Sequence, residues 1–348
     1  MKALVKKSKT RGDIHLENIA VPEPGPDRIL AKVAYAGICQ SDLDIINDKT
    51  HIYQPPVVLG HEFSAVVVEV GEGVTGFRVG DTVVSETALD VCGQCQQCRD
   101  GHFQLCANKQ ILGWTHDGGF AEHVLLNPRF THKLRQEVDL KSAAIVEPLA
   151  IATESVSIKG GIHEGDVVVV IGPGPCGVLS ALVAKEMGAR KVFLVGRQSF
   201  SPVKMPIAKS LGIEHSIDTS KTNPVEYLLD NNHGDYADMV VDATGNILGF
   251  NTSLELVKRS GKVVELGSIT TTTRFDWPTV AYKAIDLYFV FASSAGAWNQ
   301  AIALLEQSSI EFRDIVTHIM PLEKYKEAFK IASDGSKSLK VLFDPQFV

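Results

Sequence analysis

The sequence has no low-complexity tract, no internal repeat and no excess of basic residues, since 34 Lys and Arg stand against 41 Asp and Glu. The net charge of −7 argues against a nucleic-acid partner. Four lysines lie among the first nine residues, but no apolar segment of the kind found in signal peptides follows them. These absences favour a cytoplasmic protein and disfavour repeat and secreted proteins.

A single uncharged stretch of 18 residues, 167–184, is long enough to suggest a membrane helix. Gly172, Gly174 and Gly177 interrupt it, which predicts a strand, a tight turn and a buried helix instead. We therefore expect no membrane partner.

The length of 348 residues suggests two domains, and the 45% apolar and 22% charged fractions are those of a globular protein. The middle of the chain alternates apolar strand-like runs with helix-like stretches, which predicts a doubly wound parallel sheet in an α/β fold. The six runs are 167–171, 192–195, 215–217, 239–241, 263–266 and 287–291.

The first 150 residues have strand-like runs divided by Pro and Gly clusters, which favours antiparallel β structure. The last stretch offers two helices, 298–307 and 325–333, and a closing strand, 339–343, which we expect to return to the first domain. The predicted domains are therefore 1–150 plus 293–348, and 151–292.

Four of the six cysteines are crowded into 15 residues with the spacing C-x2-C-x2-C-x7-C. Four thiolates at this spacing can surround one tetrahedral zinc and leave no open position, which predicts a structural site. The alternatives are an accidental cluster of core cysteines or a nucleic-acid-binding zinc ribbon. The four are Cys92, Cys95, Cys98 and Cys106.

A second set of possible metal ligands is spread along the chain: Cys39, His61, Glu62 and Glu147. Mixed sulfur, nitrogen and oxygen donors are typical of a catalytic zinc with an exchangeable position. Taken singly, Cys39 could equally be a buried apolar residue and His61 a satisfied core histidine.

The glycine-rich turn after the first apolar strand reads Gly172-Pro-Gly174-Pro175-Cys176-Gly177 and opens a helix. This is the context in which a G-x-G-x-x-G pattern binds a dinucleotide, with the pyrophosphate at the helix N-terminus. We assign these residues to cofactor binding and do not count Cys176 as a metal ligand.

The next strand should end in an acidic residue if the cofactor is NAD, but this chain has Gly196 and Arg197 there. The guanidinium of Arg197, with Lys204 nearby, would pair with the 2′-phosphate of NADP. We favour NADP, and NAD binding without the acid is the alternative.

Several motifs together resemble the zinc-containing medium-chain dehydrogenase/reductase family, and the resemblance runs through essentially the whole chain. They are Gly37-Ile-Cys39-Gln-Ser41-Asp42, Gly60-His61-Glu62, the four-cysteine segment, Gly118-Gly-Phe-Ala-Glu122 and Glu147-Pro148. The family implies a GroES-like β-rich catalytic domain with an inserted Rossmann domain. The glutamate at Glu147 is similar to that of the polyol (sorbitol) and threonine dehydrogenase branch.

The resemblance implies two zinc ions, the catalytic one held by Cys39, His61 and Glu62, with Glu147 bound directly or through water. It implies that Ser41 passes the substrate proton outward. The family commonly has a histidine where this chain has Asp44, so the outer proton acceptor would be Asp44 itself or His51.

The resemblance also places Thr244, and the run Leu266-Gly267-Ser268, beside the nicotinamide and its ribose. It favours a homotetramer, with a homodimer as the alternative.

The expected reaction is hydride transfer between NAD(P) and the CH–OH group of a polyol, sugar or amino alcohol. The alternatives are a dehydrogenase of simple alcohols and aldehydes, or a non-enzymatic zinc- or cofactor-binding protein. Substrate choice would depend on pocket residues such as Asp44, His51 and Trp114.

Overall fold

The computed structural model describes residues 1–267 and 272–347, and its packing divides the chain into two units. The first unit contains Met1–Glu147, Ile302–Asp334 and the segment from Lys340 onward. The second contains Pro148–Ala301 and Gly335–Leu339. Ser268 lies outside the described residues.

The strands are numbered along the chain. The first ten are β1 (Lys2–Lys6), β2 (Ile14–Asn18), β3 (Ile29–Gly37), β4 (Val57–Val58), β5 (Glu62–Val70), β6 (Thr82–Ser85), β7 (Ala88–Asp90), β8 (Gln110–Ile111), β9 (His123–Leu126) and β10 (Thr131–Lys133). The next six are β11 (Val167–Ile171), β12 (Lys191–Gly196), β13 (His215–Asp218), β14 (Ala237–Asp242), β15 (Val257–Glu265) and β16 (Asp286–Phe289). The last two are β17 (Val316–Pro321) and β18 (Lys340–Asp344).

The helices are numbered in the same way: α1 (Gln40–Ile46), α2 (Gln96–Arg99), α3 (Leu140–Ala143), α4 (Val146–Thr153), α5 (Pro175–Glu186), α6 (Lys204–Ser210), α7 (Pro224–Asn231), α8 (Ile247–Leu256), α9 (Trp277–Lys283), α10 (Ala295–Gln307) and α11 (Tyr325–Ser333). A π-helical turn, Glu154–Lys159, follows α4, and short 3-10 turns include Phe103–Leu105 and Pro128–Phe130.

The first unit is built mainly of antiparallel strands. Within its described residues, the main sheet has the order β10-β6-β5-β3-β18-β17, with β9 also pairing with β3. Smaller sheets join β2, β1 and β4, and β7 and β8. The antiparallel prediction is confirmed, and so is the return of the last strand, since β18 pairs with β3.

The second unit contains a parallel sheet in the order β13-β12-β11-β14-β15-β16, counted over its described residues. All five residues of β11 are buried, as a strand covered on both faces requires. The six predicted strands are confirmed, with boundaries that shift by up to several residues. This order is that of a doubly wound dinucleotide-binding fold, whose ligands bind at the carboxyl ends of the strands.

The uncharged run at 167–184 folds as β11, a glycine turn and most of α5. Among the helices that the structure describes, none combines the length and apolarity needed to cross a bilayer.

Candidate metal centres and cofactor loop

The register between β3 and β5 brings together the separated metal-ligand candidates of the first unit. Gly37, the last residue of β3, pairs with Glu62, the first residue of β5. Cys39 follows β3 as the N-cap of α1, and His61 immediately precedes β5. The ligand atoms of Cys39, His61 and Glu62 consequently lie within 4.8 Å of one another.

Two glycines make this approach possible. Gly60 has a φ of +93°, and a Cβ there would lie 2.4 Å from the ring of Phe120. A Cβ on Gly37 would lie 2.3 Å from Glu62 Oε2. A larger residue at Gly60 would therefore clash with Phe120 next to His61, and one at Gly37 would clash with the Glu62 carboxylate.

Asp42 orients His61, and this role was missed in the sequence. Asp42 is fully buried, its Oδ2 accepts the backbone N–H of Cys39 at 2.9 Å, and its Oδ1 lies 3.4 Å from His61 Nδ1. A carboxylate at Nδ1 fixes the ring and leaves Nε2 to face a metal. The available signal was the position of Asp42 in the first turn of α1, three residues after Cys39.

The pKa of His61 reflects this setting. Burial lowers it, but the charges of Asp42 and Cys39 outweigh burial and raise the pKa above its ordinary value. The pocket therefore favours positive charge at this point, which is also what a bound divalent cation supplies.

Glu62 forms a buried ion pair with Lys340, another residue that sequence reasoning missed. The two side chains are 1% and 3% exposed, and Lys340 Nζ also donates to the carbonyl of Ile38 at 3.1 Å. Nothing in the local sequence around Glu62 indicates this contact, because Lys340 comes from β18 at the far end of the chain.

Ser41 lies at the cluster, with its Oγ 3.4 Å from His61 Nε2. Asp44 is half-buried and accepts a hydrogen bond from Gln40 Nε2 at 3.1 Å, while His51 is exposed. The Trp114 ring meets His61 edge-on, with centroids 6.3 Å apart, so this residue of the predicted pocket does line the cluster.

Glu147 is buried near the cluster but is not one of the three ligands that lie within 4.8 Å. Burial raises its pKa to about 7; His61 and Lys340 oppose the shift, whereas Glu62 reinforces it. These interactions show that Glu147 shares the electrostatic environment of the three ligands. Lys109, also missed in the sequence, has a pKa lowered by burial and raised in turn by Glu147.

The four clustered cysteines converge in a segment that leaves β7 and includes α2. Their sulfurs all lie within 4.8 Å of one another, with Cys92 Sγ 3.6 Å from Cys106 Sγ and 3.9 Å from Cys98 Sγ. Amides of Gln94 and Cys95 lower the pKa of Cys92 to about 6. Burial raises the pKa of Cys98 in the same cluster, so the shifts differ in sign between the cysteines. The convergence of the four sulfurs is what fits a closed tetrahedral zinc site.

The predicted dinucleotide loop has the expected form. It joins β11 to α5, with Gly174 as N-cap and Pro175 in the first turn. Gly172 has a φ of +98°, and a Cβ on Gly177 would lie 1.8 Å from the carbonyl oxygen of Gly172. Gly174 has open space where its Cβ would be, so a ligand can approach the backbone there.

Gly196 is the last residue of β12, where an NAD-specific enzyme would carry its acid. A Cβ at this position would lie 2.7 Å from the ring of Pro173 in the dinucleotide loop. Arg197 follows as an exposed residue, and Lys204 is half-buried at the start of α6. The carboxylate of Asp218 contacts this turn, where it accepts the backbone N–H of Gln198 at 3.1 Å.

The other predicted cofactor residues lie at the same edge of the sheet. The Thr244 amide donates to Asp242 Oδ1 at 2.8 Å, and the Leu266 and Gly267 amides both donate to the carbonyl of Asp242. The loops after β14 and β15 are therefore bonded to each other at the edge where doubly wound folds bind ligands.

Comparison with known proteins agrees with this geometry. The "Alcohol dehydrogenase GroES-like domain" family matches residues 25–136, and the "Zinc-binding dehydrogenase" family matches residues 175–307. A sorbitol dehydrogenase from Halalkalibacterium halodurans is 34% identical, with 99% of each chain covered. A D-arabitol-phosphate dehydrogenase from Enterococcus avium is 32% identical, with 99% of this chain and 97% of that one covered.

Among solved structures, a zinc-binding dehydrogenase from Sinorhizobium meliloti 1021 bound to NADP superposes with a TM-score of 0.90. It is 29% identical, and 99% of each chain is covered. The predicted combination of a GroES-like domain and a Rossmann domain is therefore confirmed. The chain belongs to the zinc-containing medium-chain dehydrogenase/reductase family, in its polyol and threonine dehydrogenase-like branch, and is an oxidoreductase that uses zinc and NAD(P).

Proposed function

We propose that this enzyme oxidises the CH–OH group of a polyol, sugar or amino alcohol, or reduces the matching carbonyl, with NADP as the favoured cofactor. The observation that carries the proposal is the convergence of half-buried Cys39 with buried His61 and Glu62, with Glu147 beside them. The catalytic domain would be 1–150 plus 293–348, and the cofactor domain 151–292.

A bound zinc would act here as a Lewis acid that lowers the pKa of a substrate hydroxyl and so prepares it for hydride loss. Ser41 is the residue we assign to accept that proton, because its hydroxyl lies 3.4 Å from His61 Nε2. Asp44, five residues beyond Cys39 on α1, is our candidate for the next acceptor. Asp42 holds His61 in the orientation that the centre requires.

The preference for more than one substrate oxygen is inferred from Glu147. A buried carboxyl whose pKa is raised to about 7 can donate or accept a hydrogen bond near neutral pH. A second hydroxyl or an amino group on the substrate would satisfy it, whereas a simple alcohol would leave it without a partner. The sorbitol and arabitol-phosphate dehydrogenases among the relatives support this substrate class.

We further propose two zinc ions for each chain. The second would be held by Cys92, Cys95, Cys98 and Cys106, whose four sulfurs leave no position for substrate. Metal analysis of the purified protein should give two zinc ions, and one or none would contradict this part of the proposal.

The NADP preference is supported by the packing at Gly196. An aspartate or glutamate there would have to displace Pro173, while Arg197 follows immediately on the exposed side. The NADP-bound relative is consistent with such a site.

The cofactor preference is tested with Arg197→Asp. The variant loses one charge-assisted contact to the 2′-phosphate. The kcat/KM with NADP, divided by the kcat/KM with NAD, should therefore fall by about tenfold or more. Lys326→Asp, which changes an exposed charge on α11 of the first unit, is the matched control. An unchanged ratio in the Arg197 variant would remove Arg197 from the phosphate site.

A homotetramer and a cytoplasmic location complete the proposal, with a homodimer as the alternative. Trp277, Tyr282 and Phe289 of the second unit are each at least 66% exposed, and such apolar surface commonly contacts another subunit. None of the six cysteines is in a disulfide, which suits a reducing compartment. Light scattering on the purified protein would distinguish one, two and four chains.

The deciding experiment is an oxidation assay of the zinc-loaded enzyme on polyols, sugars, sugar phosphates, threonine and simple alcohols, each with NADP and with NAD. Turnover on a polyol, sugar or amino alcohol supports the proposed class. Turnover confined to simple alcohols would favour the other oxidoreductase class and remove the role assigned to Glu147.

A further inference from the structure

Two buried carboxyl groups stand side by side in the second unit, outside both metal centres. Asp242 is the last residue of β14 and Glu265 the last residue of β15, and the two are register partners in the parallel sheet. Their exposed fractions are 0% and 5%. Register partners project from the same face of a sheet, so the two carboxyl groups face a shared space.

Few donors reach this space. Asp242 Oδ1 accepts the Thr244 amide, whereas no donor among residues 1–267 and 272–347 has good hydrogen-bond geometry to Asp242 Oδ2 or to the carboxyl oxygens of Glu265. The Thr244 hydroxyl and the Gly267 amide lie close enough only to lower the pKa values of Asp242 and Glu265 in part. The opposite wall is tight, because a Cβ on Gly249 of α8 would lie 2.8 Å from Asp242 Oδ1. Two ionised carboxylates enclosed in this way would repel each other without a compensating charge.

The loops that follow these two residues depend on one another. The Leu266 and Gly267 amides donate to the Asp242 carbonyl, and a Cβ on Gly267 would lie only 2.0 Å from the backbone nitrogen of Gly245. Any separation of the two strand ends would therefore move both loops together.

We propose that Glu265 is a positioning residue for the cofactor: a single proton held between Glu265 and Asp242 joins the ends of β14 and β15 and fixes the loops at 243–245 and 266–267. This inference rests on the proposed placement of Thr244 and Gly267 at the cofactor. It adds a residue that contacts neither substrate nor metal, and it makes cofactor affinity depend on pH.

The pKa values agree with a shared proton. Burial, followed by the charge of Asp242, raises the pKa of Glu265 to about 9, and burial raises the pKa of Asp242 as well. With its pKa at about 9, Glu265 holds a proton at neutral pH and can donate it in a hydrogen bond to Asp242.

Other charged groups on the packed elements do not take part. Neighbouring positions in the sheet are Ile171 on β11 and Phe289 on β16, and neither titrates. The other charged residues of β14, β15, β16 and α8 do not contribute to the pKa shift of Asp242 or Glu265. They are Asp238, Glu255, Lys258, Arg259, Lys262 and Asp286. Asp238 pairs with Lys258, and Lys262 donates to the carbonyls of Gly160 and Gly161.

The test compares NADPH binding by the zinc-loaded wild type and the Glu265→Gln variant, measured by nucleotide fluorescence between pH 7 and pH 10.5. Glutamine donates the same hydrogen bond to Asp242 but cannot lose it. The wild-type Kd should rise above pH 9 by up to about tenfold per pH unit, since one proton is linked to binding. The Kd of the Glu265→Gln variant should lack this rise above pH 9 and should show only the pH dependence that other groups cause in both proteins.

Two further variants keep the test decisive if Glu265→Gln folds poorly. Asp242→Asn retains an oxygen for the Thr244 amide and offers its NH2 group to an ionised Glu265, so its Kd should also lose the rise above pH 9. Glu265→Leu leaves Asp242 buried without its donor and should weaken NADPH binding about tenfold at pH 7.5. In both comparisons kcat at saturating cofactor should change much less than KM for the cofactor.

The outcomes separate this inference from the proposed function. Identical pH dependence of Kd in the wild type and Glu265→Gln, or unchanged affinity in Glu265→Leu, overturns the positioning role while leaving the dehydrogenase intact. A wild type that binds neither NADPH nor NADH at any pH would overturn the proposed cofactor site and this inference with it.

Discussion

The two candidate metal centres of the first unit differ in how the fold assembles them. The four cysteines come from one segment of the chain, 92–106, and their sulfurs are held by local turns and by the amides of Gln94 and Cys95. The other centre combines Cys39, which follows β3, with His61 and Glu62 at the start of β5, and the pairing of β3 with β5 brings them together. One is a local structure, whereas the other depends on the sheet.

The surroundings of the two centres differ as well. Cys92 and Cys95 are half-buried, while His61 and Glu62 are 6% and 1% exposed and have the charged partners Asp42 and Lys340. A closed site of four thiolates needs little beyond its ligands to stabilise a segment. A site that must leave a metal position open needs its ligands oriented by neighbours.

The largest expected effect comes from Cys39→Ala. Loss of this metal ligand should abolish turnover. The melting temperature of the protein should stay nearly unchanged, because the substitution removes a single thiol between β3 and α1. Activity and zinc content are measured together. Full activity in a variant that has lost one zinc would contradict the assignment of Cys39 to the catalytic metal.

Cys98→Ser tests the other centre and should act on stability. Cys98 is buried among the other three thiols, so its loss should release the zinc of this segment and lower the melting temperature by several degrees or more. Residual activity below the new transition should remain measurable. If the melting temperature does not change, the four cysteines do not hold a stabilising metal.

The same contrast explains what the sequence could predict. The spacing of Cys92, Cys95, Cys98 and Cys106 is sufficient to predict their convergence, because three short connections restrict them to one small volume. The β-strands and the dinucleotide turn were equally accessible, since apolar runs and glycines are local signals. The approach of Cys39 to His61 was inferred through family resemblance, as no local pattern fixes strand register.

Partners that come from distant elements were missed. Lys340 pairs with Glu62 only because β18 is added beside β3, and Glu265 meets Asp242 only because β14 and β15 are neighbours. Asp42 was visible in the sequence, but the direction of its side chain depends on the turn that begins α1. These contacts result from tertiary packing. The sequence determines that packing, but no local pattern in the sequence reveals it.

Asp42→Asn tests whether orientation matters at the open centre. The NH2 group of asparagine can replace a carboxylate oxygen at His61 Nδ1 and so disfavour the tautomer that leaves Nε2 for the metal. We expect zinc affinity or kcat/KM to fall about 10- to 100-fold. Chelator competition measures the affinity, and Asp27→Asn, an exposed aspartate with no contact to the centre, is the control.

If Asp42→Asn behaves like this control, the buried carboxylate serves only to cap α1 and does not tune the metal ligand. The distinction between a tuned centre and a local thiolate centre would then rest on Lys340 alone.

The smallest expected effect concerns the anchoring of the cysteine segment. The Arg129 guanidinium lies 4.2 Å from the ring centroid of Phe103, which follows α2 between Cys98 and Cys106. An exposed cation–π contact contributes about 0.5–1 kcal/mol, so Arg129→Met should lower the melting temperature by about 1–4 °C. Arg135→Met, which removes an exposed arginine elsewhere in the unit, is the control.

Arg129→Lys should give an intermediate loss, because an ammonium keeps the charge but not the planar stacking surface. The decisive comparison is with chelated protein. If the zinc of the four thiols holds the segment together and Arg129 only anchors it, the effect of Arg129→Met should shrink once the metal is removed and the segment unfolds. An equal effect with and without zinc would mean that the segment keeps its structure through packing, and the local centre would then depend on the surrounding fold more than its spacing suggests.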